Sequence, residues 1–426
     1  MTKNSKKVIK MLLFTALILF IWRLGYHINI PLLDRSLIVR EENFFGFLDV
    51  FSGGALSNYS IVALGVSPYI TASIVIELLQ MDIVPALKEW AEEGEVGRKK
   101  LSQLTRYVAL GLAFIQALTI TLGVAAYYED PSLMFEMGVH VNAFTYIFLA
   151  LVLTAGTAFV LWLAEKITLY GIGNGTSMFI VAGIIASFPA MINTLLNTYI
   201  IKQDVVVKDI IYFFLVLIIM ILIIVGVVFM EAAQRKIPVQ YANRPAMAQF
   251  SGKSDSNIPI KLNTASVIPV IFASTLMSLP TTIANFIDSS EATYWINQIF
   301  DYTNPIGFAL YIILIFIFSF FYSFLHMNPE KMAENLQKQN AYIPGIRAGA
   351  ETASYISRVL FKITMVGAIY LSIIASIPII MQLIFKLPTS VQVGGTSLII
   401  VVGVAIETAK QLKTQSQEKQ YRGFID

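Results

Sequence analysis

Ten long apolar runs, at about 11–31, 61–80, 104–128, 142–164, 176–200, 209–230, 264–287, 305–327, 359–384 and 394–407, restrict what this 426-residue chain can become. Most of them reach the ~20 residues that a helix needs to cross the hydrocarbon core of a bilayer. In lipid every backbone polar group must be satisfied within the segment, so apolar runs of this length fold as helices. The apolar fraction of 56% and mean hydropathy of +0.70 fit a membrane protein throughout and leave no stretch for a separate soluble domain. The predicted fold class is an all-α polytopic membrane protein with ten transmembrane helices. Lys3, Lys6, Lys7 and Lys10 before the first run superficially resemble a signal peptide. That run is about 20 residues long and lacks a small-residue cleavage site, so an uncleaved first span is expected.

Charge sets the orientation. Counted over alternate connections, one side holds twenty-four Lys and Arg and the other five, with Arg23 inside a span. Basic residues stay cytoplasmic, which places both termini of this multi-pass protein in the cytoplasm. Ten spans divide into five and five, here residues 1–204 and 205–426. An odd number per half makes the second half enter the membrane in the opposite sense, as in inverted-repeat transport folds.

Two cytoplasmic connections are long, at about 231–262 and 328–357. In the first, Ile237, Val239 and Tyr241 alternate with polar residues, which predicts an extended or hairpin segment. Solvated topology determinants account for the charge, yet loops of some 30 residues are usually functional, so docking of a cytoplasmic partner stands beside that reading.

The stretch from Phe51 to Leu79 is apolar but interrupted by Gly53, Gly54, Ser57, Gly65 and Pro68. Broken backbone at membrane depth survives only where protein or a water-filled cavity shelters it, which points to a pore or a transport site. Gly171-Ile-Gly-Asn-Gly175 and Gly394-Gly-Thr-Ser397 carry helix-start residues at the openings of the fifth and tenth runs. Small residues there also let helices approach closely.

Chemistry is sparse. The chain has no cysteine, no His-Glu-x-x-His and no P-loop, so thiolate chemistry, zincin chemistry and built-in nucleotide hydrolysis lack their parts. His27, His140 and His326 lie near span ends, and neither enzyme activity, metal nor cofactor is expected. Arg23, Glu77, Glu165, Lys166 and Glu231 are the ionisable residues of the spans. Arg23 reads as packed on its neighbours or reaching a cavity, Glu77 as close to the cytoplasmic surface, and the last three as snorkelling at cytoplasmic ends.

Several segments in one order carry a resemblance: Phe51-Ser-Gly-Gly-Ala-Leu56, Ala63-Leu-Gly-Val-Ser-Pro-Tyr-Ile-Thr-Ala-Ser73, Gly97-Arg-Lys-Lys-Leu-Ser-Gln-Leu-Thr-Arg106, Gly171-Ile-Gly-Asn-Gly175, Val267-Ile-Pro-Val-Ile-Phe-Ala-Ser274, Pro344-Gly-Ile-Arg347 and Gly394-Gly-Thr-Ser-Leu398. Together they resemble bacterial SecY, the channel subunit of the Sec protein translocase, from the first span to the last. The resemblance implies two inverted five-helix halves around a central hourglass pore that passes unfolded, signal-bearing polypeptides. It implies an aliphatic pore ring at Val66, Ile70, Ile180, Ile271 and Ile400, with Thr176 where relatives often have an aliphatic residue. It implies a plug at about 46–60, including Phe47, Phe51, Gly53, Gly54 and Leu56. Phe44, Phe47, Leu48 and Phe51 stand at helical spacing, which would give a short helix one apolar face toward the ring.

The same resemblance puts a lateral gate between the second and third spans and the seventh and eighth. Thr71, Gln116 and Asn263 are the matching polar positions and are expected to be linked by hydrogen bonds in the closed state. Arg235, Lys236, Arg244 and Arg347 match the docking surface for the SecA ATPase and the ribosome. SecE and SecG subunits, signal peptides, nascent chains and membrane lipids complete the implied partners. Ala348 stands where relatives often have Pro, Asn243 where Lys is common, and the loop near 245–257 is short. Two alternatives are an accessory member of the family serving dedicated substrates and a small-solute secondary transporter. The second needs polar or charged groups near the midplane that the spans lack.

Overall fold

The computed structural model describes residues 3–33, 52–80, 83–126, 135, 141–201, 207–241, 256–284, 290–385, 387 and 389–417. These form thirteen helices and three short strands. The helices are α1 (Lys3–Gly25), α2 (Ser67–Leu79), α3 (Pro85–Glu92), α4 (Glu95–Ala126), α5 (Ala143–Tyr170), α6 (Gly175–Tyr199), α7 (Val207–Ala232), α8 (Ile268–Ala284), α9 (Ser290–Phe300), α10 (Pro305–His326), α11 (Pro329–Lys338), α12 (Ala350–Phe385) and α13 (Thr389–Gln417). Each apolar run coincides with one helix. Among the described residues, seven helices are long and apolar enough to cross a membrane, and α2 and the start of α8 are shorter apolar helices.

Two boundaries differ from the sequence expectation. The second run becomes helical only at Ser67, because Gly65 takes φ +53° and Pro68 sits in the first turn, where its missing N–H costs nothing. Its 13 residues span about 20 Å, short of a ~30 Å hydrocarbon core. Residues 53–66 fill the remaining depth as turns, and protein shelters them. The Ile61 carbonyl lies against α5 at Gly156, where a Cβ would stand 2.0 Å from that oxygen. The tenth run also begins early, at Thr389, so Gly394–Ser397 fall inside α13 rather than opening it. The start of α6 does match a capped turn: Asn174 Oδ1 accepts from the Thr176 backbone N–H at 3.0 Å.

Packing follows the apolar faces. In the first half α4 packs on α5 and α2, and in the second α10 packs on α12 and α8. Between them α6 lies against α13, and α2 meets α8. Long lipid-facing stripes remain, as on α7, where Ile211, Phe214, Ile218, Leu222 and Phe229 are exposed.

The two long connections meet in one unit. Strand β1 (Gln234–Tyr241) pairs antiparallel with β2 (Ser256–Lys261), Ile237 opposite Ile258, and with β3 (Ala341–Tyr342). Alternation turns Ile237 and Val239 inward, where they join Ile260, Leu336, Ile356 and Leu360 in one core. At 36 residues α12 is about 54 Å long, well beyond the bilayer core, and its first turns carry this unit. Asn328 caps α11 by accepting from the Glu330 and Lys331 N–H groups at 3.0 and 3.2 Å.

Candidate functional site

The segment before α2 is held from several sides. Gly53 (φ +70°) and Gly54 (φ +81°) adopt left-handed backbone that side chains strain to reach. A Cβ on Gly53 would also stand 3.1 Å from the Gly183 Cα of α6 and 3.2 Å from Trp22 of α1. Arg23 Nη1 donates to the Gly53 carbonyl at 3.1 Å, and its guanidinium lies 4.0 Å from the Tyr26 ring centroid. This is the packed alternative for Arg23, with the charge spent on a backbone carbonyl. Asn58 Nδ2 donates to the Gly54 carbonyl at 2.7 Å and bonds the Tyr26 hydroxyl. Ile61 N–H donates to the Ile28 carbonyl and Ile30 N–H to the Tyr59 carbonyl, tying the segment to the chain that leaves α1.

Beside this segment lies a buried aliphatic junction. Val66 at the N-cap of α2, Ile70 on α2, Ile180 on α6, Ile271 on α8 and Ile400 on α13 share one core, none more than 8% exposed. Ala55, fully buried, belongs to the same core, so the glycine-rich segment shares it through a small residue that the sequence did not single out. Leu56 turns the other way, into a second core with Ala113 and Ala117 of α4 and Leu149 and Leu153 of α5. Thr176 is half-buried at the start of α6. Its hydroxyl donates to Asn174 Oδ1 at 2.7 Å, so its polar atom is used at the start of α6. Phe44, Phe47, Leu48 and Phe51 lie outside the described residues.

The three polar positions assigned to the gate are not bonded to one another. Thr71 Oγ1 donates to the Ser67 carbonyl of its own helix at 3.3 Å. Gln116 is half-buried on α4. Asn263 Nδ2 donates to Glu231 Oε1 at 3.1 Å, which Ser266 Oγ also reaches at 3.0 Å. The expected triad is therefore corrected for this structure: Glu231 takes the Asn263 donor, and the α2 backbone takes that of Thr71. Glu231 is corrected too, because at 3% exposure it is enclosed rather than snorkelling. Lys410 of α13 donates to the Glu231 backbone carbonyl at 3.1 Å, so this corner joins α7, the segment between β2 and α8, and α13. Glu165 accepts a two-pronged contact from Arg106 at 2.7 and 2.9 Å, which fastens α4 to α5.

Sequence reasoning missed one contact between distant helices. Glu77 on α2 accepts from the Tyr322 hydroxyl on α10 and from Ser73 Oγ at 3.2 Å. A carboxylate four residues after a serine in an apolar helix was a visible signal. Its partner, 245 residues away in sequence, was not.

At the three-stranded sheet Arg235 and Lys236 are exposed at the start of β1. Arg347 is exposed in the turn between β3 and α12, flanked by Gly345 (φ +82°) and Gly349 (φ +97°). Thr352 Oγ1 donates to the Arg347 carbonyl at 2.7 Å, fixing the backbone while the guanidinium stays free to meet solvent. Arg244 and Asn243 lie outside the described residues.

Comparisons with known proteins agree with this architecture. The SecY family model matches residues 60–409. The protein translocase subunit SecY of Halalkalibacterium halodurans is 47% identical over 97% of this chain and 96% of its own. That of Bacillus subtilis is 45% identical over 97% and 96%. A solved protein-conducting channel superposes with a TM-score of 0.69 at 17% identity, covering 98% of this chain and 95% of that one. Sec61 in a canine ribosome-channel complex from the endoplasmic reticulum gives 0.66 at 18%, over 98% and 95%. The fold and its buried aliphatic junction define a multi-pass, all-α membrane protein with the architecture of a protein-conducting channel. The chain belongs to the SecY family.

Proposed function

We propose that the chain is the central channel of the general secretion pathway, passing unfolded signal-bearing polypeptides across a bacterial cytoplasmic membrane and releasing apolar segments sideways into lipid. The observation that carries this reading is the shared core of Ala55 with Val66, Ile70, Ile180, Ile271 and Ile400, drawn from α2, α6, α8, α13 and the segment before α2. Aliphatic side chains that meet at one point gate by dewetting, so ions are held back without a charged filter. They also offer a passing polypeptide no hydrogen bonds, which makes passage indifferent to sequence.

In this reading residues 1–204 and 205–426 are two inverted halves around an hourglass pore, with both termini cytoplasmic. Residues at about 46–60 are the plug, and the lateral gate opens between α2 and α4 on one side and α8 and α10 on the other. An entering signal sequence gains roughly 0.3–0.6 kcal/mol per Leu, Ile, Phe or Val. Ten such residues supply several kcal/mol, enough to displace a few interhelical hydrogen bonds worth about 0.6–2 kcal/mol each. SecE and SecG would cover lipid-facing helix surfaces, and SecA or the ribosome would supply directed movement at the exposed cytoplasmic unit. No cofactor enters the scheme.

Reconstitution with SecE, SecG, SecA and ATP in liposomes is expected to give a protease-protected, signal-bearing precursor. No protected product, with a housekeeping channel working in parallel, would overturn the general-channel reading in favour of a dedicated one. The plug has its own test. Gly53→Val puts a branched side chain where the backbone is left-handed, a strain of about 1–2 kcal/mol, and against Gly183 and Trp22. Planar-bilayer recordings should then show a resting ion leak with export retained. A wild-type seal would remove this segment from the plug role.

A further inference from the structure

We propose that the Glu77–Tyr322 hydrogen bond is a latch that clasps α2 to α10 at the cytoplasmic end of the lateral opening and sets how apolar a segment must be to part the two helices. The proposal rests on the gate reading above and adds to it a bond that the expected polar triad does not contain.

Both groups are held in place before they meet. The Tyr322 ring packs edge-on against Phe272 of α8 at 5.0 Å and Phe321 of α10 at 5.3 Å, with the His326 ring at 5.8 Å. The residue is 1% exposed, so its hydroxyl has a fixed direction. On the other side Ser73, one turn earlier on α2, holds the Glu77 carboxyl at 3.2 Å. A hydrogen bond between preorganised partners loses little on forming and is lost whole when the helices separate.

Position gives the bond its role. Glu77 follows Ile70 by seven residues, about 10 Å along α2 toward the cytoplasmic end. Tyr322 lies one turn from the cytoplasmic end of α10. A segment arriving from the cytoplasm therefore meets this pair before it reaches the aliphatic junction. The halves are also joined through α1, which packs on α13, and through α6, where Tyr199 donates to the Phe385 carbonyl at 2.9 Å and Thr408 reaches Met178 Sδ at 3.9 Å. Those contacts lie on helices that the gate reading leaves in place, and parting α2 from α10 spares them.

The chain has no cysteine, so Gln80→Cys and Met327→Cys place spin labels at the ends of α2 and α10 and nowhere else. Distance distributions are read in liposomes with the partner subunits and without substrate. Glu77→Leu and Tyr322→Phe should each raise the parted population about three- to thirtyfold, the range of measured interhelical hydrogen bonds. Each should also admit precursors with weaker signal sequences. Glu77→Gln, which keeps an acceptor for the tyrosine, should stay near wild type. The double variant should part no further than either single one. Wild-type distances in either single variant, or additive effects in the double, overturn the latch. Failure of every protein, wild type included, to move precursor would instead count against the channel, and the distances would still decide the latch.

Discussion

Ile271→Asn or Ile400→Asn is expected to open a resting ion pathway and to relax the demand for a strong signal sequence. Both side chains are buried in the aliphatic junction, at 8% and 1% exposure. They belong to the same buried apolar core as Val66, Ile70 and Ile180. An amide placed in such a site is left unsatisfied at about 1–3 kcal/mol. Water entering the junction relieves that penalty, so the balance shifts toward the wetted, conducting state by about five- to 150-fold. Single-channel recording measures the resting conductance, and export of a precursor with a defective signal measures the stringency. Conductance equal to wild type in both variants would remove these residues from the ring. Thr176 supplies a control, because its hydroxyl already serves Asn174. Thr176→Val should leave the seal intact.

Arg347→Glu is expected to stop motor-driven export while the protein still folds and inserts. The side chain is exposed, so replacing it costs the fold no more than about 0.5 kcal/mol. The backbone of the turn is held by the Thr352 hydroxyl and by two glycines with positive φ, none of which depends on the guanidinium. Charge reversal against a partner surface that accepts an arginine costs several kcal/mol, or roughly a hundredfold or more in docking. Arg347→Lys keeps the charge but loses the two-pronged geometry and should fall in between. Protease protection of a precursor, normalised to channel in the membrane, gives the result. Export at the wild-type rate would take Arg347 out of the docking surface.

The described structure also separates readings that the residues alone left open. Topology determinant and docking loop were equal alternatives for the connections at 231–262 and 328–357. Their union in one three-stranded sheet with a core of Ile237, Val239, Ile260 and Ile356 makes them a folded platform. Nothing local could show this, because β1 pairs with β3 across about a hundred residues. Arg23 similarly had two readings, and only the position of the Gly53 carbonyl chose between them.

The sequence by itself determined the membrane class, the number and approximate places of the helices, and the break before α2. These depend on properties within one segment: length, hydropathy, and the backbone demands of Gly65 and Pro68. The five aliphatic residues that share one buried core, and the glycines proposed for the plug, came from motif resemblance, which carries spatial information that periodicity lacks. Tertiary structure alone decided which polar groups found each other. Asn263 bonds Glu231 rather than Thr71 or Gln116, Thr176 serves a cap, and Glu77 meets Tyr322. The physical reason is directionality. An apolar side chain is satisfied by any apolar surroundings, so its burial can be read from pattern. A hydrogen bond needs one partner at one distance and angle, and only the packed chain supplies it.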